Sequence, residues 1–232
     1  MRKTIKQLVK LTCLGIVLSA AAGVASAQTS GTVTVNGSVA KSASIRWWSF
    51  TALNTETGAN APNTQNSPLL FTLSVGDVSP TNSNSYAGGK VKVVLRTNAA
   101  YALSAQVTAS SGFGGAANGD LTLSDVGFGL ANLANSGGLV FGDPASNSVV
   151  AGSFGNDPST AAKNADGVPT FATSFNSLSA STQVLSGPRI SKGGSVSSPN
   201  NGLLVDTIYA IGPQFYTPTT FSATVTYTIT TP

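Results

Sequence analysis

Apolar and polar residues change places at every second position in several short runs, and Gly, Asn, Ser, Thr and Pro fill the spaces between them. A period of two puts one face of a run against a core only when the run is a β-strand. The clearest run carries Val33, Val35, Val39, Ala43, Ile45 and Trp47 at odd positions, with Thr32, Thr34, Asn36, Ser38 and Arg46 between them. Others cover 69–75, Val91-Val93-Leu95, Tyr101-Leu103-Ala105-Val107, Leu121-Leu123, 203–211 and Phe221-Ala223-Val225-Tyr227-Ile229. Thr97-Asn98-Ala99-Ala100 reads as a hairpin connection between two of these strands. No helical period of useful length occurs beyond the first residues, so the expected fold is an all-β sandwich. Residues 54–67 and 132–169 are long, rich in small residues and weakly periodic, and read as surface loops or insertions.

The N-terminal stretch differs. Arg2, Lys3, Lys6 and Lys10 precede an apolar-to-small run over residues 11–24, which closes on Ala25-Ser26-Ala27. This is the pattern of a cleavable signal peptide over residues 1–27, with cleavage expected before Gln28 and a secreted product. Cys13 lies inside that run as an apolar residue, so residues 28–232 contain no cysteine and no disulfide framework is expected. No later stretch reaches the roughly 18 apolar residues of a membrane span. Four of the twelve basic residues fall in the leader and all eight acidic residues follow it, so the formal charge of +4 misleads. Residues 28–232 are close to neutral and have no basic cluster, which argues against nucleic acid as a partner.

Chemistry is scarce. With no His in the chain and no Cys after residue 27, Ser-His-Asp and Cys-His nucleophile systems and the usual zinc sites are excluded. Glu56, Asp77, Asp120, Asp125, Asp143, Asp157, Asp166 and Asp206 remain, and most stand beside Gly, Pro, Asn or Ser, where turn formation accounts for them. No enzyme, cofactor or metal is therefore expected. Asn156-Asp157 and Asn164-Ala165-Asp166-Gly167 supply oxygen ligands in one region but lack the order of a calcium loop, and turn residues are the favoured reading. Trp47 is assigned to the core. Trp48, on the opposite face of the same strand, is left as a candidate ligand contact, with core or interface burial favoured. Asn36-Gly37-Ser38 matches the glycosylation triplet but is too short to carry weight.

The two ends of the expected product are both alternating strands: Gly31-Thr-Val-Thr-Val-Asn-Gly-Ser-Val-Ala-Lys-Ser-Ala-Ser-Ile45 and Phe221-Ser-Ala-Thr-Val-Thr-Tyr-Thr-Ile-Thr230. This pairing resembles bacterial chaperone-usher pilins over about fifteen residues at the start and about ten at the end. The resemblance implies an immunoglobulin-like antiparallel β-sandwich that lacks one strand and is completed by a strand donated from the next subunit. On it, residues 28–40 are a donor extension and 41–232 the pilin-like domain. Val33, Val35, Gly37 and Val39 occupy the donor positions, and Val225, Tyr227 and Ile229 line the acceptor groove. The implied function is a structural subunit of an extracellular pilus or filament, a head-to-tail homopolymer exported through the periplasm with a chaperone and an outer-membrane usher. Ser44 stands where many pilins carry the first cysteine of a disulfide, the chain is longer than usual, and Tyr227 lies farther from the end. A monomeric secreted adhesin-like or carbohydrate-binding sandwich is the alternative, using the long loops and Trp48.

Overall fold

The computed structural model describes residues 34–53, 58–60, 64–69, 71–80, 85–141, 148–149 and 154–232. The expected signal peptide, Val33, Glu56 and Asp143 lie outside the described residues. In chain order the strands are β1 (Ala43–Ala52), β2 (Gly58–Asn60), β3 (Thr72–Ser74), β4 (Ala87–Thr97), β5 (Tyr101–Ser111), β6 (Val126–Asn135), β7 (Ser148–Val149), β8 (Thr182–Gly187), β9 (Leu203–Ile211) and β10 (Ser222–Thr230). They form two four-stranded antiparallel sheets, ordered β1-β4-β9-β6 and β10-β5-β8-β7, with β2 and β3 as a separate pair. The fold is the all-β sandwich the periodicity implies.

Period-two patterning explains the core. From the first sheet, Val91, Val93 and Leu95 of β4, Leu203 and Val205 of β9, and Phe128 and Leu130 of β6 point inward. The second sheet meets them with Tyr101, Leu103, Ala105 and Val107 of β5 and with Val184 and Leu185 of β8. The β-branched residues of β4 favour an extended backbone and fill a pleated surface well. Trp47 is buried on β1 and stacks on Phe71 with ring centroids 5.1 Å apart, while Phe50 meets the same ring at 5.2 Å.

Several local readings change. The Thr97–Ala100 corner is not a hairpin: β4 and β5 belong to opposite sheets, because β4 already has β1 on one side and β9 on the other. Thr97 Oγ1 donates to the Ala99 carbonyl at 2.9 Å, and Asn98 ties the corner to the start of β1 by donating to the Ala40 carbonyl at 2.9 Å and accepting from Ser42 N at 2.8 Å. Leu121-Leu123 is not a strand either. The Asp125 carboxylate accepts from Thr122 N at 2.8 Å, and Thr122 Oγ1 accepts from Ser124 N at 3.2 Å, a reciprocal cap that winds residues 123–125 into a 3-10 turn. The long run through Val35, Val39 and Trp47 becomes strand only at Ala43; residues 34–42 are in no strand. The 132–169 stretch contains the end of β6, the short β7 and a 3-10 turn over Pro158–Thr160.

Candidate functional site

The site lies on a sheet edge, and the edges of the sandwich are not treated alike. Along β6 the backbone is covered from outside, since Leu130 N donates to the Phe154 carbonyl at 2.8 Å and Phe128 N donates to the Thr173 carbonyl at 3.1 Å. Gly129 permits this approach: a Cβ there would sit 2.1 Å from the Asn156 carbonyl oxygen. β1 is covered at its middle, where Trp47 N donates to the Ser67 carbonyl and Asn66 N donates to the Trp47 carbonyl, each at 2.9 Å. β10 differs. It pairs with β5 on one side, and among the described residues no backbone hydrogen bond reaches its other side.

The side chains of β10 follow the same division. Ala223, Val225, Tyr227 and Ile229 face inward against the core, and Ser222, Thr224, Thr226, Thr228 and Thr230 face solvent. Val225, Tyr227 and Ile229 stand opposite Val107, Ala105 and Leu103 of β5. Those β5 residues are at most 4 % exposed, whereas the β10 row is only half-buried, so the core thins at this edge. The three residues assigned to an acceptor groove are therefore brought together in one row of an edge strand. The Lys41 ammonium donates to the Pro232 carbonyl, which sets the start of β1 beside the end of β10.

Tyr227 is also anchored from across the core. Its hydroxyl lies 2.6 Å from that of Tyr209 on β9, and Tyr209 donates to Thr207 Oγ1 at 3.2 Å. Thr207 Oγ1 in turn donates to the Val91 carbonyl at 3.0 Å. Tyr209 has one proton and gives it to Thr207, so Tyr227 must be the donor to Tyr209. Desolvation pushes both phenols above their ordinary range.

On the expected donor side, residues up to Val39 form one unit and Ala40–Pro232 another. Val35 and Val39 are 89 % and 91 % exposed, and a Cβ added to Gly37 would meet nothing within 4 Å. Trp48 is half-exposed, at the register irregularity between Trp47 and Ser49. The oxygen-rich turns act locally. Asp157 pairs with Lys90 and accepts from Ser159 N at 3.0 Å, and Asn164 Oδ1 accepts from Asp166 N at 3.0 Å and Val168 N at 2.9 Å. Burial alone would raise the Asp157 carboxyl, but hydrogen bonds from Lys90 and Ser159 and the Lys90 charge hold it below its ordinary value. Among the described residues no three His, Cys, Asp or Glu side chains gather into a metal-binding group. No helix among them is long and apolar enough to cross a membrane.

Residues absent from the sequence reading also matter here: Tyr209, Arg96 and Asn201 carry buried polar contacts. Only Arg96 gave a signal, as a cation at the end of an apolar strand. No protein-family model, curated protein or solved structure matches this chain.

Proposed function

We propose that this chain is the structural subunit of an extracellular filament, in which residues 28–40 of one copy lie along β10 of the next and complete its sandwich. The observation that carries the reading is β10 itself: a nine-residue edge strand with a half-buried apolar row and no described pairing on its outer side. Such an edge templates another strand unless something guards it. Among its outward residues there is no charge and no proline, the usual guards. The segment ending at Val39 supplies what the edge lacks, since Val33, Val35, Gly37 and Val39 share one face of an extended chain.

Head-to-tail donation is an open contact and so builds a linear polymer rather than a closed ring. A chaperone that covers β10 before assembly, and an usher that exchanges it for the next subunit, belong to the same proposal. The test is an unheated gel and size-exclusion chromatography of surface material from wild type and from a chain lacking residues 28–40. The proposal expects a ladder from wild type and single subunits from the truncated chain. A wild-type protein that runs as a monomer throughout would sink it and favour the secreted binding module.

A further inference from the structure

Three asparagines in the chain are followed directly by glycine: Asn36-Gly37, Asn118-Gly119 and Asn201-Gly202. Such a pair can consume its own amide, because a glycine has no Cβ to hinder its backbone nitrogen from turning onto the side-chain carbon of the preceding asparagine. The surrounding structure decides which pair reacts. The glycine nitrogen must be free of other partners, and the backbone must be able to rotate.

Two of the three pairs are held. Gly119 closes a 3-10 turn with its nitrogen donating to the Ala116 carbonyl at 3.0 Å, and the Asn118 amide lies 3.5 Å from Asp120 Oδ2. Gly202 N donates to Ser136 Oγ at 2.9 Å. Asn201 is 2 % exposed; its Nδ2 donates to the Gly193 and Ser195 carbonyls at 3.1 and 2.7 Å, and its Oδ1 accepts from Arg96 Nε at 2.5 Å. With both the nitrogen and the side chain engaged, neither pair can react before that part of the fold opens. Asn36-Gly37 differs on each count. Both residues are exposed and in no strand, and a Cβ added to Gly37 would meet nothing within 4 Å.

We infer that Asn36 is a site of spontaneous covalent modification, which converts unassembled subunits into a form that cannot donate its terminal strand. The Gly37 nitrogen gives its proton to hydroxide and attacks Asn36 Cγ. A new N–C bond forms as the Cγ–amide bond breaks, and the amide group leaves as ammonia, taking a proton from water. A second water then opens the succinimide at either carbonyl, giving aspartate or isoaspartate with no change of oxidation state. The consequence for assembly rests on the filament reading. Isoaspartate routes the main chain through the side-chain carbons and so inserts an extra methylene between Val35 and Gly37. Val39 then falls out of phase with Val33 and Val35, and the ladder to β10 is broken. A segment already inserted is extended and paired, which keeps its backbone from closing the ring. Subunits left unassembled therefore lose donor competence with age, and assembled ones keep it.

The experiment ages the full chain, dilute and unassembled, in mildly alkaline buffer, and follows the three asparagines by peptide mass mapping with isoaspartate-specific methylation. Asn36 should convert at least about tenfold faster than Asn118 and Asn201, which react only from opened states. On concentration, aged wild type should have lost the gel ladder. Aged Asn36→Gln, whose longer side chain closes its ring far more slowly, should keep it. An Asn36 amide that persists as long as the other two, or that carries a glycan, overturns the site. Equal loss of the ladder in Asn36→Gln overturns its bearing on assembly. Fresh wild type that gives no ladder while Asn36 still converts refutes the filament reading and upholds the modification site.

Discussion

The hydroxyl relay from Tyr227 through Tyr209 and Thr207 to the Val91 carbonyl ties the edge strand β10 to the opposite sheet, and its strength can be worked out link by link. Tyr227→Phe removes the first donor and leaves Tyr209 still bonded to Thr207, so the loss is one hydrogen bond, about 1 kcal/mol. Tyr209→Phe removes the middle of the relay. It strands the Tyr227 hydroxyl without its acceptor and takes a donor from Thr207, which should cost about 2–3 kcal/mol. Once Tyr209 is Phe, Tyr227→Phe removes a hydroxyl that is already unmet. The double variant should therefore be no less stable than Tyr209→Phe alone, a coupling of at least about 1 kcal/mol between residues in contact. For a domain of this size about 1 kcal/mol moves the melting temperature by roughly 2–4 °C, well within calorimetric reach. Costs that add to within about 0.3 kcal/mol would show that the two hydroxyls do not act as a pair, and the relay would be refuted.

Burial raises the phenols of Tyr101, Tyr209, Tyr216 and Tyr227, so in each the unfolded chain loses its proton first. Their contribution to stability is complete below the unfolded value near pH 10 and is lost as pH rises through the raised folded values, so melting temperature should fall above about pH 10. A flat profile through that range contradicts the burial. Gly129→Ala puts a Cβ 2.1 Å from the Asn156 carbonyl oxygen, a backbone atom that cannot swing aside. The variant should lose about 2 kcal/mol or more in denaturant melts and gain light scattering as the β6 edge is uncovered, and wild-type behaviour in both would count against that edge contact. A Cβ added to Gly37 would meet nothing within 4 Å, so Gly37→Trp should change the stability of the Ala40–Pro232 unit by less than about 0.5 kcal/mol. Under the proposed assembly the same change abolishes the gel ladder, and normal filaments would exclude insertion at this glycine.

What the sequence made legible follows from which forces are local. Period two is written residue by residue, so β4, β5, β9 and β10 stand where Val91-Val93-Leu95, Tyr101 to Val107, Leu203 to Ile211 and Phe221 to Ile229 put them. Sheet membership is not local. Nothing in Thr97-Asn98-Ala99-Ala100 says that β1 and β9 occupy both sides of β4, and only that crowding sends β5 to the other sheet. Leu121-Leu123 misleads for a different reason: its alternation is short enough for the Thr122–Asp125 cap to outweigh it. β6 was hidden because Gly127, Gly129 and Ala131 dilute its apolar pattern, and Gly127 and Gly129 are small so that the covering segment can approach. The β10 row was readable because its alternation is unbroken. Its half-exposure was not, since that depends on what lies beyond the edge.

The energetics of the proposed insertion turn on the backbone more than on the valines. Burying Val33, Val35 and Val39 contributes roughly 2 kcal/mol each, or about 6 kcal/mol. Fixing the backbone of a segment of about nine residues costs at least as much, at about 1 kcal/mol or more per residue. Side-chain burial therefore does no better than offset the ordering, and the surplus has to come from main-chain hydrogen bonds to the outer side of β10, at about 1 kcal/mol each. A long, uninterrupted edge is then the essential property of the acceptor, and β10 runs in continuous register with β5 from Ala223 to Thr230. The same reasoning sets the need for Gly37 apart from that for its neighbours. A valine can be trimmed and cost only its own burial, but a side chain that holds the two backbones apart cancels several hydrogen bonds together.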